Sequence, residues 1–206
     1  MHREILTAKQ NELLPYLKLF RRKYYLVGGT AIALHIGHRR SIDFDLFSST
    51  RLNKKDIREK LTRFPCKISR ISEDTDQIHF LINEIKFTFF HYPYKIDHPL
   101  TLGQYISMPS LLSLSSMKAY AIGRRAKWKD YVDLYYIIKD FHTVEEISSE
   151  AARNFGELYS EKLFREQLAF HKDIDYSEPV EFLTPAPSEQ EIKRFLIDRA
   201  IDIGIG

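Results

Sequence analysis

A chain of 206 residues, 44% hydrophobic and 13% aromatic, can bury a core in one large domain or two small ones, which excludes a disordered or fibrous protein. Its net charge of +3 and charged fraction of 29% are too mild to announce a dedicated nucleic-acid binder, yet they permit an anionic partner. One cysteine, Cys66, excludes an internal disulfide framework and a cysteine-rich zinc site; with no signal peptide and no apolar run of membrane-spanning length, the expectation is a cytoplasmic protein without a membrane partner.

Ile5, Leu6, Leu13, Leu14, Leu17 and Phe20 recur at helical spacing and predict an amphipathic helix bracing a sheet. Tyr24–Val27 is β-favouring and ends at Gly28-Gly29; Thr30–Ile36 then reads as a short helix stopped by Gly37. From Arg39 to Phe47 polar and apolar residues alternate, which predicts a strand with Arg39, Ser41, Asp43 and Asp45 on one wet, acidic face. Lys54–Phe64 reads as a helix and Lys67–Ile71 as a strand, followed by an acidic turn at Glu73–Asp76. Two further strands, Gln77–Ile82 and Ile85–Phe90, are joined by Asn83-Glu84 as a hairpin turn.

Pro93 and Pro99 break the chain, and beyond Pro109 the pattern turns almost wholly helical, which places a boundary near residue 107. The expected organisation is α/β: residues 1–107 with a small mixed sheet, then a helical domain over 108–206. Helices are expected near 110–123 and 129–139. Thr143 with Glu146, and Ser188 with Glu191, have capping-box spacing at two later helix starts.

The chemistry concentrates in two places. A glycine pair between strand and helix lets backbone N–H groups approach a phosphate, and Thr30 offers a hydroxyl to the same oxygens; the same pair also serves a purely steric turn. Asp43 and Asp45, two residues apart on a strand, share a face and can hold Mg²⁺ or Mn²⁺, hard cations that favour carboxylate and phosphate oxygen; otherwise they are solvated acids on an exposed strand. Arg39 and Ser41 on that face are supporting candidates, Arg39 either as a phosphate contact or as a structural ion pair. Further on, Leu111, Leu114, Lys118, Ala121 and Arg125 form one helical stripe, so Lys118 and Arg125 either clamp a triphosphate or snorkel to solvent. Asp130 and Asp133 lie one turn apart on the next helix. His35 and His38 read as packing histidines, and Trp128, Tyr131, Tyr135 and Tyr136 as core aromatics.

The segment Leu26-Val-Gly-Gly-Thr-Ala-Ile-Ala-Leu-His-Ile-Gly-His-Arg-Arg-Ser-Ile-Asp-Phe-Asp-Leu-Phe47 closely resembles the AbiEii/AbiGii-type nucleotidyltransferases of the polymerase-β-like superfamily. Met117-Lys-Ala-Tyr-Ala-Ile-Gly-Arg-Arg-Ala-Lys-Trp-Lys-Asp-Tyr-Val-Asp-Leu134 is similar to the family's second signature, and Ser188–Asp202 to its closing helix.

The resemblance implies a polymerase-β-like nucleotidyltransferase domain followed by a helical one, with the site in the cleft between them. In that site Gly28, Gly29, Thr30, Lys118 and Arg125 bind an NTP, Asp43 and Asp45 hold the metal, and Asp130 is the base. Asp133 orients a basic neighbour, and Lys129 is a supporting residue. It also implies a toxin of a toxin–antitoxin or phage-defence system, with a cognate antitoxin and a tRNA or protein acceptor.

One departure stands out. Many enzymes of the superfamily carry a third carboxylate on a neighbouring strand, but Ile85–Phe90 offers Lys86 and Thr88 and no acid, and Glu84 lies in the turn. Either Asp130 supplies the base, or the chain is a catalytically inactive nucleotide- or partner-binding module of the same fold.

Overall fold

In the computed structural model, which describes residues 1–202, apolar alternation decides which way each strand faces. The strands are β1 (Tyr25–Val27), β2 (Phe44–Ser48), β3 (Ile68–Glu73), β4 (Gln77–Ile82) and β5 (Ile85–His91), and they form one mixed sheet in the order β1-β2-β5-β4-β3. Only β2 and β5 run parallel; the other pairs are antiparallel, with a bulge between Arg70 and Ser72 in β3. Phe44, Leu46, Ile78, Phe80, Ile82, Phe87 and Phe89 point to the buried face. Phe20 and Phe64 meet them there, with ring centroids 4.8 Å from Phe89 and 6.0 Å from Phe87. Each of these buried rings contributes roughly 1.5–3 kcal/mol relative to an exposed one.

The β4–β5 turn shows why its residues suit it. Asn83 and Glu84 both take left-handed backbone angles, φ 49° and 68°, as a two-residue hairpin turn of the twist-matched kind requires. A second hairpin, β6 (Leu100–Leu102) with β7 (Ile106–Met108), was not expected; its strands are too short to carry a periodic signal, and β7 packs against β1.

The N-terminal helix is shorter than the apolar spacing predicts. A 3₁₀ turn at Arg3–Ile5 precedes α1 (Ala8–Leu17), because a reciprocal capping box between Thr7 and Gln10 starts the helix there. Gln10 is fully buried, and its amide also donates to the Ser41 carbonyl at 3.0 Å. Helices α2 (Gly28–Ile36) and α3 (Lys54–Leu61) complete this part.

The chain folds into two compact units, one of residues Met1–Ser110 and one that begins at Leu111. The second unit is helical: α4 (Leu111–Ile122), α5 (Trp128–Asp140), α6 (Val144–Phe155), α7 (Glu161–Ala169) and α8 (Glu189–Ile201). Thr143 and Glu146 form a full capping box on α6. At α8 only half of the expected box forms: Ser188 caps Glu191 N–H, while the Glu191 carboxylate accepts from Tyr135 Oη at 2.6 Å. The irregular segment between α7 and α8 is tied to the start of α5 by Trp128 N–H to Asp175 O at 3.0 Å and Asp175 N–H to Ala126 O at 2.7 Å. No helix among the described residues is long and apolar enough to cross a membrane.

Candidate active site

In the first unit the site is built on the β1–α2 turn. Gly28 opens α2 with φ +73°, a conformation that costs any L side chain, and Val27 at the cap position has no side-chain acceptor for the first N–H groups. An uncapped helix N-terminus with a glycine pair is a natural anion seat. The geometry next to it is specific: a Cβ on Gly28 would collide with Asp45 Oδ2 and sit 3.0 Å from Asp45 Cγ. A Cβ on Gly29 would lie 2.6 Å from Arg39 Nη2 and 3.0 Å from Ser41 Oγ. The absent side chains are therefore the space that Asp45 and Arg39 occupy.

Asp45 is held in the middle of a row. In β2 the alternation sends Phe44, Leu46 and Ser48 into the core and leaves Asp45 half-buried on the other face. Its register partners are Val27 of β1 and Thr88 of β5, and Thr88 Oγ1 is 3.1 Å from His79 Nδ1 on β4. Burial pushes the His79 imidazole down from its ordinary value and Lys86 adds to the effect, while Asp45 and Asp74 act the other way. Thr88 thus fills the strand position directly beside Asp45. Glu84, in the hairpin turn, is paired with Lys9.

Asp43 and its neighbours depart from the expected strand. Residues 40–43 are irregular and β2 begins only at Phe44, so Asp43 stands one residue ahead of it, half-buried. Arg39 is not on a wet face: it is 3% exposed, with Nη1 donating to the Arg40 carbonyl at 3.0 Å. Thr30 also differs from expectation. It is 1% exposed, and its hydroxyl lies 3.2 Å from Ser41 O, 3.1 Å from Ser41 Oγ and close enough to donate to Asp43 O. That hydroxyl holds the chain leading into the acids. His35 Nε2 meets the Pro109 carbonyl at 3.1 Å, a packing role.

In the second unit the candidates form a buried charge cluster. Lys118 on α4 is 6% exposed and pairs with Asp130, and its Nζ lies 3.0 Å from Asp133 Oδ2; both acids, on α5, are fully buried. Arg125 lies beyond the end of α4 at Ile122, so it does not continue the helical stripe, yet its Nε comes 3.3 Å from Asp130 Oδ2 with the side chain 54% exposed. Asp130 Oδ2 has no hydrogen bond among the described residues. Buried carboxylates need such cations, because an unpaired charge in this environment would cost several kcal/mol.

Lys129 is engaged elsewhere: it and Lys127 both grip Glu178 in the segment before α8. Burial works to raise the Glu178 carboxyl, but the two lysines outweigh it and hold it down at about 2.

Residues 16–200 match the family described as Nucleotidyl transferase AbiEii toxin, Type IV TA system. The chain belongs to this family. An uncharacterised protein of Aquifex aeolicus (strain VF5) is 34% identical to this AbiEii-family chain over 142 residues, 64% of this chain and 67% of the relative. Among solved structures, the fold resembles MenT4, a nucleotidyltransferase toxin from Mycobacterium tuberculosis H37Rv, with a TM-score of 0.65 at 14% identity, covering 94% of this chain and 80% of MenT4. It also resembles JHP933 from Helicobacter pylori, with a TM-score of 0.54 at 12% identity over 97% of this chain and 88% of that one. The AbiEii-family chain is a nucleotidyltransferase.

Three features around these candidate residues were beyond reach from the sequence. The Thr88–His79 pair follows only from strand register, and Glu178 lies 49 residues beyond Lys129 with no local signal. The orienting contact of Thr30 depends on an irregular loop that read as a strand.

Proposed function

We propose that this AbiEii-family enzyme moves a nucleoside monophosphate from an NTP to an acceptor hydroxyl in a Mg²⁺-dependent reaction, as a cytoplasmic toxin controlled by a cognate antitoxin. The observation that carries the reading is the contact between Gly28 and the Asp45 carboxylate at an uncapped helix N-terminus. A carboxylate beside an uncapped helix N-terminus is the combination that a metal-bound triphosphate needs.

What supports a magnesium ion is the Asp45 carboxylate beside the start of α2, with Asp43 two residues before it. No group of three or more His, Cys, Asp or Glu that could hold a metal occurs among the described residues. Mg²⁺ does not require one, because it is ordinarily held by one or two carboxylates together with substrate phosphates. Asp43 and Asp45 would be those carboxylates, and when bound the ion neutralises charge on the triphosphate and on the departing pyrophosphate.

Gly28 and Gly29 offer backbone N–H groups to the phosphates, and Lys118 and Arg125 are, on family grounds, the candidate cations for a triphosphate. Thr30 and Arg39 shape the loop that carries Asp43. The acceptor oxygen forms a bond to the α-phosphorus, the bond from that phosphorus to the bridging oxygen breaks, and pyrophosphate leaves. Asp130 takes the acceptor's proton on Oδ2, the oxygen that Lys118 does not hold. Asp133 keeps Lys118 in place.

The acceptor we favour is tRNA, on family grounds, with a protein hydroxyl as the other outcome. The test is incubation of the full chain with each radiolabelled NTP, Mg²⁺ and total RNA or total protein. Label in an RNA band that disappears in Asp45→Asn supports the reading. No transfer to either pool rejects it.

A further inference from the structure

A pocket of ≈ 500 Å³ opens in the first unit beside β1, and none of the roles above uses it. Its buried lining is Tyr25 and Ile96; Ser49, Lys95, Asp97 and His98 line it from exposed positions. The volume lies within the range of small-molecule sites, and the mixture of an aromatic wall with a few polar groups is the usual lining of one.

Two observations tie the pocket to a ligand and to the site. The first is Tyr25 itself. It is 3% exposed, and its hydroxyl is buried with no hydrogen-bond partner among the described residues. Burying an unsatisfied hydroxyl costs about 1–3 kcal/mol, so the group calls for a partner, which an ordered water or a ligand entering the pocket would supply. Burial also pushes the phenol well above its ordinary value, which keeps it protonated and able both to donate and to accept. The ring is stacked on His98, with centroids 4.6 Å apart and planes 10° from parallel.

The second observation is register. Tyr25 pairs with Phe47 and Val27 pairs with Asp45, so Tyr25 projects from the same sheet face as Asp45, two residues further along. At strand spacing this separates them by about 7 Å, the reach of a ribose and its 5′ phosphate ester. A nucleotide with its phosphates at Gly28 and Asp45 therefore has a pocket for its base at the right distance and on the right face.

We propose that this pocket is the base subsite of the NTP, with a polar edge of the base met by the Tyr25 hydroxyl. The inference rests on the nucleotidyltransferase reading of Gly28 and Asp45. Tyr25 is then a specificity residue, because a hydroxyl that finds its partner only on certain bases favours them.

The test uses the full chain, with isothermal titration of the four Mg-NTPs and of Mg-tripolyphosphate into wild type, Tyr25→Phe and His98→Ala. Wild type should bind at least one NTP more tightly than tripolyphosphate. Tyr25→Phe should weaken that NTP about three- to ten-fold, flatten the preference among the four, leave tripolyphosphate binding unchanged and not lower the thermal midpoint. His98→Ala, at an exposed loop position, should change NTP affinity without changing tripolyphosphate affinity. Tripolyphosphate binding as tightly as every NTP would overturn the base subsite and leave the phosphate reading standing. Unchanged NTP affinities in both variants would do the same, and if the KM for RNA rose instead, the pocket would belong to the acceptor. Binding of neither NTP nor tripolyphosphate would remove the nucleotide reading and this inference with it.

Discussion

The carboxylate of Asp45 occupies the space that a side chain on Gly28 would need, and the two residues face each other across the β1–β2 pair with Val27 as the register partner of Asp45. The glycine is thus required twice, once by its backbone angle of +73° and once by its neighbour. Gly28→Ala should cost about 1–2 kcal/mol for the left-handed backbone alone and push the Asp45 carboxylate aside. We expect a lower urea midpoint and loss of label transfer. In the double variant Gly28→Ala/Asp45→Ala the clash with the carboxylate is gone and only the β-carbon at position 45, 3.2 Å from the new methyl, stays close, so the stability losses should combine to less than their sum while activity stays absent. Strict additivity in denaturant titrations would show that the two residues do not touch.

Thr30 separates a positioning role from a phosphate-binding one. Thr30→Val keeps the shape and removes the donor to the Ser41 and Asp43 carbonyls, which should destabilise the fold by about 1–3 kcal/mol. Thr30→Ser should restore both stability and turnover. If Thr30→Val raised the KM for NTP with an unaltered melting temperature, the hydroxyl would be a phosphate ligand after all.

Lys118, Asp130 and Asp133 should respond in different currencies. Lys118→Met leaves two buried carboxylates without their shared cation and should cost about 3–5 kcal/mol in chemical denaturation. Asp130→Asn keeps a hydrogen-bonding group against Lys118. It should leave NTP affinity within a few-fold while lowering turnover by on the order of a hundredfold. Unchanged turnover in Asp130→Asn would remove Asp130 as the base.

The pH response of the segment before α8 follows from Glu178. Against the upward push of burial, Lys127 and Lys129 hold its carboxyl, ordinarily near 4.5, at about 2 in the folded chain. A carboxylate lowered in this way stabilises fully above the unfolded value, and the contribution is lost as the pH falls from about 4.5 toward 2. Because the side chain is 38% exposed, solvent screening keeps the effect modest. Amide protection across residues 172–187, taken relative to intrinsic exchange at each pH, should be flat from pH 7 to 5 and fall below that, and Glu178→Gln should show the lower protection already at pH 7. Equal protection in the two proteins at pH 7 would mean that backbone bonds such as Trp128 to Asp175 carry the tether alone.

Much of the site was legible where local rules decide the outcome. Alternation in Phe44–Phe47 put Asp45 opposite the core, and the glycine pair was placed at a strand-to-helix turn because few other residues tolerate one. Asn83-Glu84 read as a hairpin without any glycine. The errors fall where distant residues override a local pattern. Arg39 and Ser41 continue the alternation of β2 in the sequence, but Gln10 and Thr30 bond to the Ser41 carbonyl, and the chain there leaves the sheet. Arg125 fits the helical stripe of α4 by spacing, yet the helix stops at Ile122. Tyr25 read only as a β-favouring residue, since nothing in its sequence neighbourhood reveals that its hydroxyl ends up without a partner.

The parallel pairing of β2 with β5 also has a consequence for the order of events during synthesis. β1 and β2 form a local antiparallel pair, but the strand on the other side of Asp45 arrives only after α3, β3 and β4 have been made. Closing that long excursion is the slow, entropically costly part of assembling this sheet. A nascent chain that has emerged only to residue 82 carries the glycine turn and both aspartates, yet Asp45 still lacks Thr88 at its side. The strand pairing around Asp45 is therefore complete as soon as β5 has emerged, before any of Lys118, Asp130 and Asp133 has been made.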